Sequence, residues 1–111
     1  MKAAQAWLRA LDDGDETFLW QHASQLTQNK QDKAITLKYW VGGRQGYGKV
    51  IQRDLQLNFA VEPYQFRGNI PDGIYRRLVF WTKYEKRDLA REELWLSYED
   101  GEWKILAYGV R

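Results

Sequence analysis

The sequence predicts an α+β domain in which three N-terminal helices pack on the concave face of a curved four-stranded antiparallel sheet. Apolar residues recur at helical spacing before residue 42, and the period changes to two from Lys49 onward. An Asp-Gly pair at residues 100–101 then separates the last two alternating segments. Because the helices precede the strands and the chain has 111 residues, we expect one α+β domain over residues 1-111.

The helices are predicted from apolar stripes and their end signals. The first ends at Gly14 and buries Ala4, Trp7, Leu8 and Leu11. Asp15 can cap the second, whose apolar positions are Phe18, Leu19, Ala23 and Leu26. Thr27 is a plausible cap for the third helix, which covers residues 28–41 and stops at Gly42-Gly43.

The first strand begins near Lys49 and is predicted to be long and half-buried. One of its sides carries Ile51, Leu55, Leu57, Phe59 and Val61. Arg53 stands in the middle of this apolar row, where a charge is costly unless a partner compensates its desolvation. Residues 62–73 are rich in turn formers and form a loop before the second strand.

The third and fourth strands form a hairpin whose register follows from the Asp100-Gly101 turn. The predicted pairs on the helix side are Tyr98 with Trp103, Leu96 with Ile105, Leu94 with Ala107 and Glu92 with Gly109. The other side pairs Trp95 with Leu106 and Glu93 with Tyr108. The first side is apolar apart from Glu92, so it is expected to face the helices.

Composition excludes several classes of function. The net charge is only +2 and the charges are interspersed, which argues against a nucleic-acid partner. There is no cysteine, so disulfides and thiolate metal sites are excluded, and one histidine cannot form a metal centre alone. No apolar run is long enough to span a membrane, and no signal peptide is visible in the chain as given. No cofactor or metal is expected.

One glycine-rich segment fits the pattern of a phosphate-binding loop. Residues 43–49 match G-x-x-x-x-G-K, but Val50 stands where the motif needs Ser or Thr. The segment also runs from a helix into a strand, whereas a phosphate-binding loop precedes a helix. We therefore interpret it as a turn that leads the chain into the sheet.

Four polar residues are predicted to converge on the helix side of the sheet, namely His22, Arg53, Glu92 and Tyr98. Such groups in an apolar concavity could bind a small ligand or transfer a proton. The structural alternative, which we favour, is an internal Arg53–Glu92 ion pair that only closes the cavity. His22 alone is interpreted as a hydrogen-bonded residue of the core or pocket wall.

The opposite side of the sheet is predicted to carry a contiguous apolar surface, formed by Tyr75, Val79, Trp81, Trp95, Leu106 and Tyr108. Large exposed groups of Trp and Tyr usually mark protein contacts. We therefore expect a homodimer packed through this face. The alternative is that loop 62–73 covers the surface through Tyr64 and Phe66.

Several short motifs recur in a known order along nearly the whole chain: Ala3-Ala4 with Trp7-Leu8, Asp12 with Gly14, Trp20 with Ala23-Ser24, Gly48 with Arg53, Pro71-Asp72-Gly73 with Tyr75, Phe80 with Thr82, Glu92, and Asp100-Gly101 with Trp103 and Tyr108. With these motifs the chain resembles the bacterial domain-of-unknown-function family 4019, whose members are similar to the NTF2-like cone of helices and curved sheet. The chain departs from the family pattern at residues 28–47. The resemblance implies the fold and a periplasmic or secreted location, and it implies no activity.

Two hypotheses for function remain open at this point. The favoured one is a non-enzymatic binding or assembly module, because no nucleophile or cofactor motif is visible. The alternative is a small-molecule pocket inside the helix-sheet cone, in which Arg53 anchors an anion. Such a pocket could also be an enzyme site, with His22 or Glu92 moving a proton. A direct Arg53–Glu92 pair with no space beside it would favour the first.

Overall fold

The computed structural model describes residues 1–66 and 70–111, in which helices are followed by a four-stranded antiparallel sheet. The helices are α1 (Lys2–Asp13), α2 (Glu16–Gln21), α3 (Gln25–Lys30) and α4 (Lys33–Gly42). The strands are β1 (Val50–Val61), β2 (Tyr75–Tyr84), β3 (Arg87–Glu99) and β4 (Glu102–Val110), with a 3-10 turn at Pro63–Gln65. The strand order is β1-β2-β3-β4, which confirms the α+β class and the antiparallel sheet. Residues 67–69 of the predicted loop lie outside the described residues.

The described residues contain four α-helices rather than the predicted three, because the chain leaves the helical path at residues 22–24. There it pairs with the edge of β4: the backbone N–H of Ile105 donates to His22 O at 2.9 Å, and that of Ser24 donates to Ile105 O at 2.7 Å. Ser24 then caps α3 by accepting from the backbone of Leu26. Pairing with an open strand edge satisfies backbone groups that a continuous helix would have left to solvent.

Thr27 is not a helix cap, as its position had indicated. It lies inside α3, is buried, and donates its hydroxyl to the backbone O of Leu106 at 2.7 Å. The cap of the next helix is Asp32, whose carboxylate accepts from the backbone of Ile35 at 2.9 Å. The predicted third helix thus starts five residues later than expected, since α4 begins at Lys33.

The core lies between the helices and the side of the sheet that faces them. Trp7 is fully buried at its centre, in edge contact with Trp40 at 5.1 Å between ring centroids. Its indole N–H donates to the backbone O of Leu19 at 3.1 Å, so this large side chain is buried without an unpaired polar atom. Leu78, Leu94, Leu96 and Ile105 supply the floor from β2, β3 and β4.

The β3–β4 hairpin has the predicted register near the turn and a different one beyond it. Tyr98 pairs with Trp103 and Leu96 with Ile105, as expected. Leu106 is then an extra residue, a β-bulge, after which Trp95 pairs with Ala107 and Leu94 with Tyr108. The predicted pairs Leu94–Ala107, Trp95–Leu106, Glu93–Tyr108 and Glu92–Gly109 are therefore wrong. Beyond the bulge, the two faces of β4 are exchanged.

β1 carries two bulges, at Ile51 and at Gln56, and the second divides its apolar residues between the two faces. Leu55 pairs with Phe80 on the helix side, whereas Leu57 pairs with Val79 on the outer side, with Gln56 between them. The prediction of a half-buried strand was wrong, because β1 is the edge of the sheet and the helices contact β4. The exposed side chains are Ile51 at 58%, Leu55 at 46%, Leu57 at 51% and Phe59 at 37%. We call these four residues the β1 apolar row.

No helix in the described residues is long and apolar enough to cross a membrane.

Candidate functional site

The predicted Arg53–Glu92 pair is present. Nε of Arg53 donates to Oε1 of Glu92 at 2.7 Å, and Nη2 lies 3.3 Å from Oε2. The other side of the guanidinium contacts Asp12, with Nη1 and Nη2 at 3.0 and 3.1 Å from its two carboxylate oxygens. All three nitrogens of Arg53 therefore bind carboxylates, one from β3 and one from the end of α1.

Glu92 is fully buried and saturated with donors. Besides Arg53, the hydroxyls of Thr82 and Tyr108 donate to its two oxygens. Burial alone would raise the pKa of Glu92, but the hydrogen bond and charge of Arg53, followed by the hydroxyl donors, lower it. Glu92 is therefore an ionised acceptor whose position is fixed by its neighbours.

The neighbours of Glu92 hold their protons firmly. Burial and the negative charge of Glu92 raise the pKa of Tyr108. Burial lowers the pKa of Arg53, but the hydrogen bonds from Arg53 to Asp12 and Glu92 outweigh it and raise the pKa overall. None of these groups is poised to exchange a proton near neutral pH, which is what a general acid or base must do.

Sequence reasoning did not identify Asp12, Arg44 or Tyr84 as members of this cluster. Arg44 forms an ion pair with Asp12, and its guanidinium carbon lies 5.3 Å from the ring centroid of Tyr84. The Tyr84 hydroxyl is buried and has no hydrogen-bond partner among the described residues. Burial, followed by the charge of Glu92, raises its pKa to about 12. One signal in the sequence could have indicated Asp12: it is an acidic residue in the last turn of the amphipathic first helix, and such a residue is a possible partner for the charge of Arg53.

His22 and Tyr98 do not join the Arg53–Glu92 pair. The ring of His22 stacks on Phe18 with centroids 4.1 Å apart, and the side chain lines a groove of about 270 Å³ beside Trp103. Tyr98 is exposed and contacts Trp103 across the hairpin at 5.0 Å between centroids. It lies six residues from Glu92 on β3, roughly 20 Å at strand spacing. The predicted convergence of four residues therefore holds for two of them.

The outer face of the sheet, opposite the helices, differs from the predicted interface. Tyr75 and Val79 are buried, and Trp95 is half-buried. Phe66 packs against Tyr75 and Trp95, with ring centroids 5.1 and 5.2 Å apart, so the covering alternative holds for this residue. Tyr64, the other residue of that alternative, is 83% exposed.

The remaining residues of the predicted interface fall into two groups. Tyr108 was placed on the wrong face, because the bulge at Leu106 turns it into the core beside Trp7, at 5.6 Å between centroids. Trp81 is exposed on the outer face, and Leu106 is half-buried. On the adjacent β1, the exposed apolar residues of the outer face are Leu57, opposite Val79, and Phe59, opposite Arg77, and sequence reasoning had assigned both to the buried side. The first strand of an open meander is an edge strand, so the predicted strand order could have indicated that these two side chains are exposed.

The glycine-rich segment closes on the β2–β3 turn. The backbone N–H of Lys86 donates to Tyr47 O at 2.8 Å, and that of Glu85 donates to Lys49 O at 2.9 Å. In return, the backbone N–H of Lys49 donates to Oε1 of Glu85 at 2.7 Å. This arrangement agrees with our interpretation of the segment as a turn, because it leads into β1 rather than a helix.

Comparison with known proteins places the fold and assigns no activity. The family described as "Protein of unknown function (DUF4019)" matches residues 3–108. No curated protein sequence matches the chain. A solved structure of a Campylobacter jejuni protein, provisionally named an NTF2-like transpeptidase, superposes with a TM-score of 0.60 over 94% of each chain, at 13% sequence identity. At that identity the likeness shows the NTF2-like fold alone.

Proposed function

The chain belongs to the family of proteins of unknown function DUF4019, and from this premise we propose that it is a non-enzymatic assembly module that dimerises through β1. The observation that carries the proposal is the β1 apolar row, four large side chains between 37% and 58% exposed on one strand. Long apolar strands at a sheet edge readily pair with another chain. In the described part of the chain, β1 pairs with β2 only, so its other edge is available.

Charge on β1 supports a second copy as the partner. The strand contains one cation and one anion, Arg53 and Asp54. Arg53 is directed to Asp12 and Glu92, and Asp54 accepts from the side chain of Gln52 at 2.8 Å. The guanidinium of Arg76 on β2 also lies on this strand and donates to Oδ1 of Asn58 at 2.6 Å and to its backbone O at 3.2 Å. The carboxylate of Asp54 and the guanidinium of Arg76 have opposite signs, so the edge carries no net charge that would repel its own copy.

Antiparallel pairing of β1 with its copy also matches the side chains. A two-fold axis at Asn58 sets Leu57 of one protomer opposite Phe59 of the other, both on the outer face. Trp81 of the adjacent strand extends the same surface. A stable dimer buries roughly 800 Å² per protomer, about a ninth of the 7056 Å² surface of the chain.

The buried polar cluster supports a non-enzymatic role. Arg53 would have to release a carboxylate before it could anchor an anionic ligand.

Ser24 and Ser97 are both buried and the chain has no cysteine, so no accessible serine or cysteine nucleophile is visible in the described residues. The transpeptidase name of the Campylobacter jejuni protein thus gives no reason to assign that activity to this chain.

Sedimentation velocity of matched variants tests the proposal. We expect a dimeric wild type, a monomeric Leu57→Lys, and a dimeric Ile35→Lys. Ile35 is a suitable control because it is 70% exposed on α4, away from the sheet edge. A monomeric wild type, or a dimer that persists in Leu57→Lys, would overturn the proposal.

Disulfide formation tests the pairing geometry, since the chain contains no cysteine. In the register described above, Asn58→Cys places two thiols opposite each other at the axis and should cross-link under oxidation. Ile35→Cys serves as the control and should remain uncross-linked. A dimer that is lost in Leu57→Lys, yet does not cross-link at residue 58, would contradict this register.

A further inference from the structure

A basic groove lies at the β4 edge of the sheet, between α4 and the outer-face residues of β3, and thus at the opposite edge from the β1 apolar row. It has a volume of about 390 Å³ and is lined by Tyr39 of α4, by Arg91, Glu93 and Trp95 of β3, and by β4 residues 107–110 with Arg111. None of these residues belongs to the Arg53–Glu92 cluster except Tyr108, which contributes to the wall. No residue of β1 lines the groove, although Arg77, which contacts Glu93 at its wall, also lies over the ring of Phe59, with its guanidinium carbon 5.8 Å from the ring centroid.

Charge in this groove is unbalanced. Glu93 is contacted by three guanidinium groups: Arg77 at 2.7 Å, Arg91 at 3.0 Å and Arg111 at 3.4 Å. One carboxylate side chain can neutralise one of the three cations, so two positive charges remain. Arginine forks present donors that match carboxylate and phosphate oxygens.

Two of these arginines also have unmet donors. The Nε atoms of Arg77 and Arg91 are buried and make no hydrogen bond among the described residues. Arg91 Nε does lie near Oε1 of Glu93, but without the alignment of a hydrogen bond. Buried donors are normally satisfied, so these two Nε atoms are an exception among the described residues.

The walls of the groove add apolar surface to the charge. Trp95 has Arg77 over its ring, with the guanidinium carbon 4.9 Å from the centroid. Tyr39 of α4 is exposed and lines the groove from the helix side. Ala107 and Val110 complete the lining. A ligand with an anionic group on a flat apolar body matches both features, because the rings pack against the body and the guanidinium groups bind the oxygens.

We infer that this groove binds small aromatic anions, compounds that carry a carboxylate or a phosphate on an aromatic ring. Arg91 and Arg111 provide the charged contacts, because both side chains are partly exposed, whereas Arg77 holds Glu93 and Trp95 in place. Tyr39 and Trp95 contact the ring of the ligand.

Titration followed by NMR tests the inference. The probes are benzoate and phenyl phosphate, with benzamide as the neutral analogue of benzoate. We expect the indole N–H resonance of Trp95, assigned with Trp95→Phe, to shift and saturate with both anions and not with benzamide. Comparison of the two anions shows whether carboxylate or phosphate is preferred.

Variants that each remove one arginine charge distinguish specific binding in the groove from non-specific attraction of anions to the protein. Arg91→Gln and Arg111→Gln should each weaken binding about tenfold, the loss of one charge-assisted hydrogen bond. Arg87→Gln removes the same charge at a residue that binds Tyr47 instead, and should bind as wild type. Arg111 is largely exposed, so its variant keeps the test valid if Arg91→Gln fails to fold. Absence of saturation, equal weakening by Arg87→Gln, or equal binding of benzamide would overturn the inference. The titration is repeated on Leu57→Lys, so the result does not depend on dimerisation.

Discussion

The hydroxyl of Tyr108 on β4 donates a hydrogen bond to Oε2 of Glu92 on β3. The two residues share a face because Leu106 is an extra residue in β4, which shifts the register beyond it by one. Without that bulge Tyr108 would point to the outer face, and Glu92 would have one donor fewer in a fully buried position. The bulge therefore completes the polar cluster as well as bending the strand.

Removal of Glu92 should be strongly destabilising. Glu92→Ala leaves Arg53 with a buried, partly unpaired charge, at a cost of about 3–5 kcal/mol, a large share of the stability of a typical domain. Urea denaturation measures the loss. Glu102→Ala is the control, because Glu102 forms its ion pair with Lys104 on the surface, and it should unfold at the wild-type midpoint. A Glu92→Ala protein as stable as the control would show that the cluster contributes little.

Stability should fall in acid because of Glu92. Its pKa in the folded protein lies below the ordinary value of 4.5, so the unfolded chain takes up the proton first as the pH falls. The contribution is complete above pH 4.5 and is lost as the pH falls through the folded-state pKa. The difference in free energy of unfolding between wild type and Glu92→Gln should therefore shrink below pH 4.5. A gap that stays constant on both sides of that pH would contradict the low pKa.

Two buried tyrosines should respond differently to the same substitution. Tyr108→Phe removes a hydrogen bond to a charged group and should cost about 1.5–3 kcal/mol. Tyr84→Phe removes a buried hydroxyl that has no partner among the described residues, and should be neutral or stabilising. Thermal unfolding of the two variants compares them directly. Equal losses would indicate that the Tyr84 hydroxyl is satisfied by water.

Gly48 is expected to be intolerant of a side chain for two reasons. Its φ is +80°, and a Cβ there would lie 2.9 Å from Cβ of Glu85. Gly46 has a φ of +86° with open space around it, so Gly46→Ala should cost only the left-handed strain, about 1–2 kcal/mol. Gly48→Ala should cost more, because it also displaces the carboxylate that accepts from Lys49. Denaturation midpoints decide this, and equal values would show that Glu85 moves freely.

Trp95→Lys should lower stability rather than dissociate the dimer. Trp95 is half-buried beneath Phe66 and Arg77, whereas Leu57 is exposed at the sheet edge. We expect Trp95→Lys to have a lower melting temperature than wild type and the same sedimentation coefficient. We expect Leu57→Lys to have the smaller sedimentation coefficient of a monomer. If Trp95→Lys dissociates the dimer at an unchanged melting temperature, the interface includes Trp95 on the outer face rather than β1.

The sequence by itself determined the secondary-structure classes, the antiparallel sheet, the turn at Asp100-Gly101 and the Arg53–Glu92 pair. The first three follow from local patterns, which need no knowledge of distant contacts. The pair was inferred from the cost of a charge in a row predicted to be buried, and the pair is present although Ile51, Leu55, Leu57 and Phe59 of that row are exposed. Tertiary structure alone decided the bulges at Gln56 and Leu106 and the break in the second helix at residues 22–24. Leu106 is apolar, so the alternating pattern continues through it and cannot show that one residue is unpaired. The faces of β1 and β4 depend on which strands the helices cover, and that is set by packing between residues far apart in the chain.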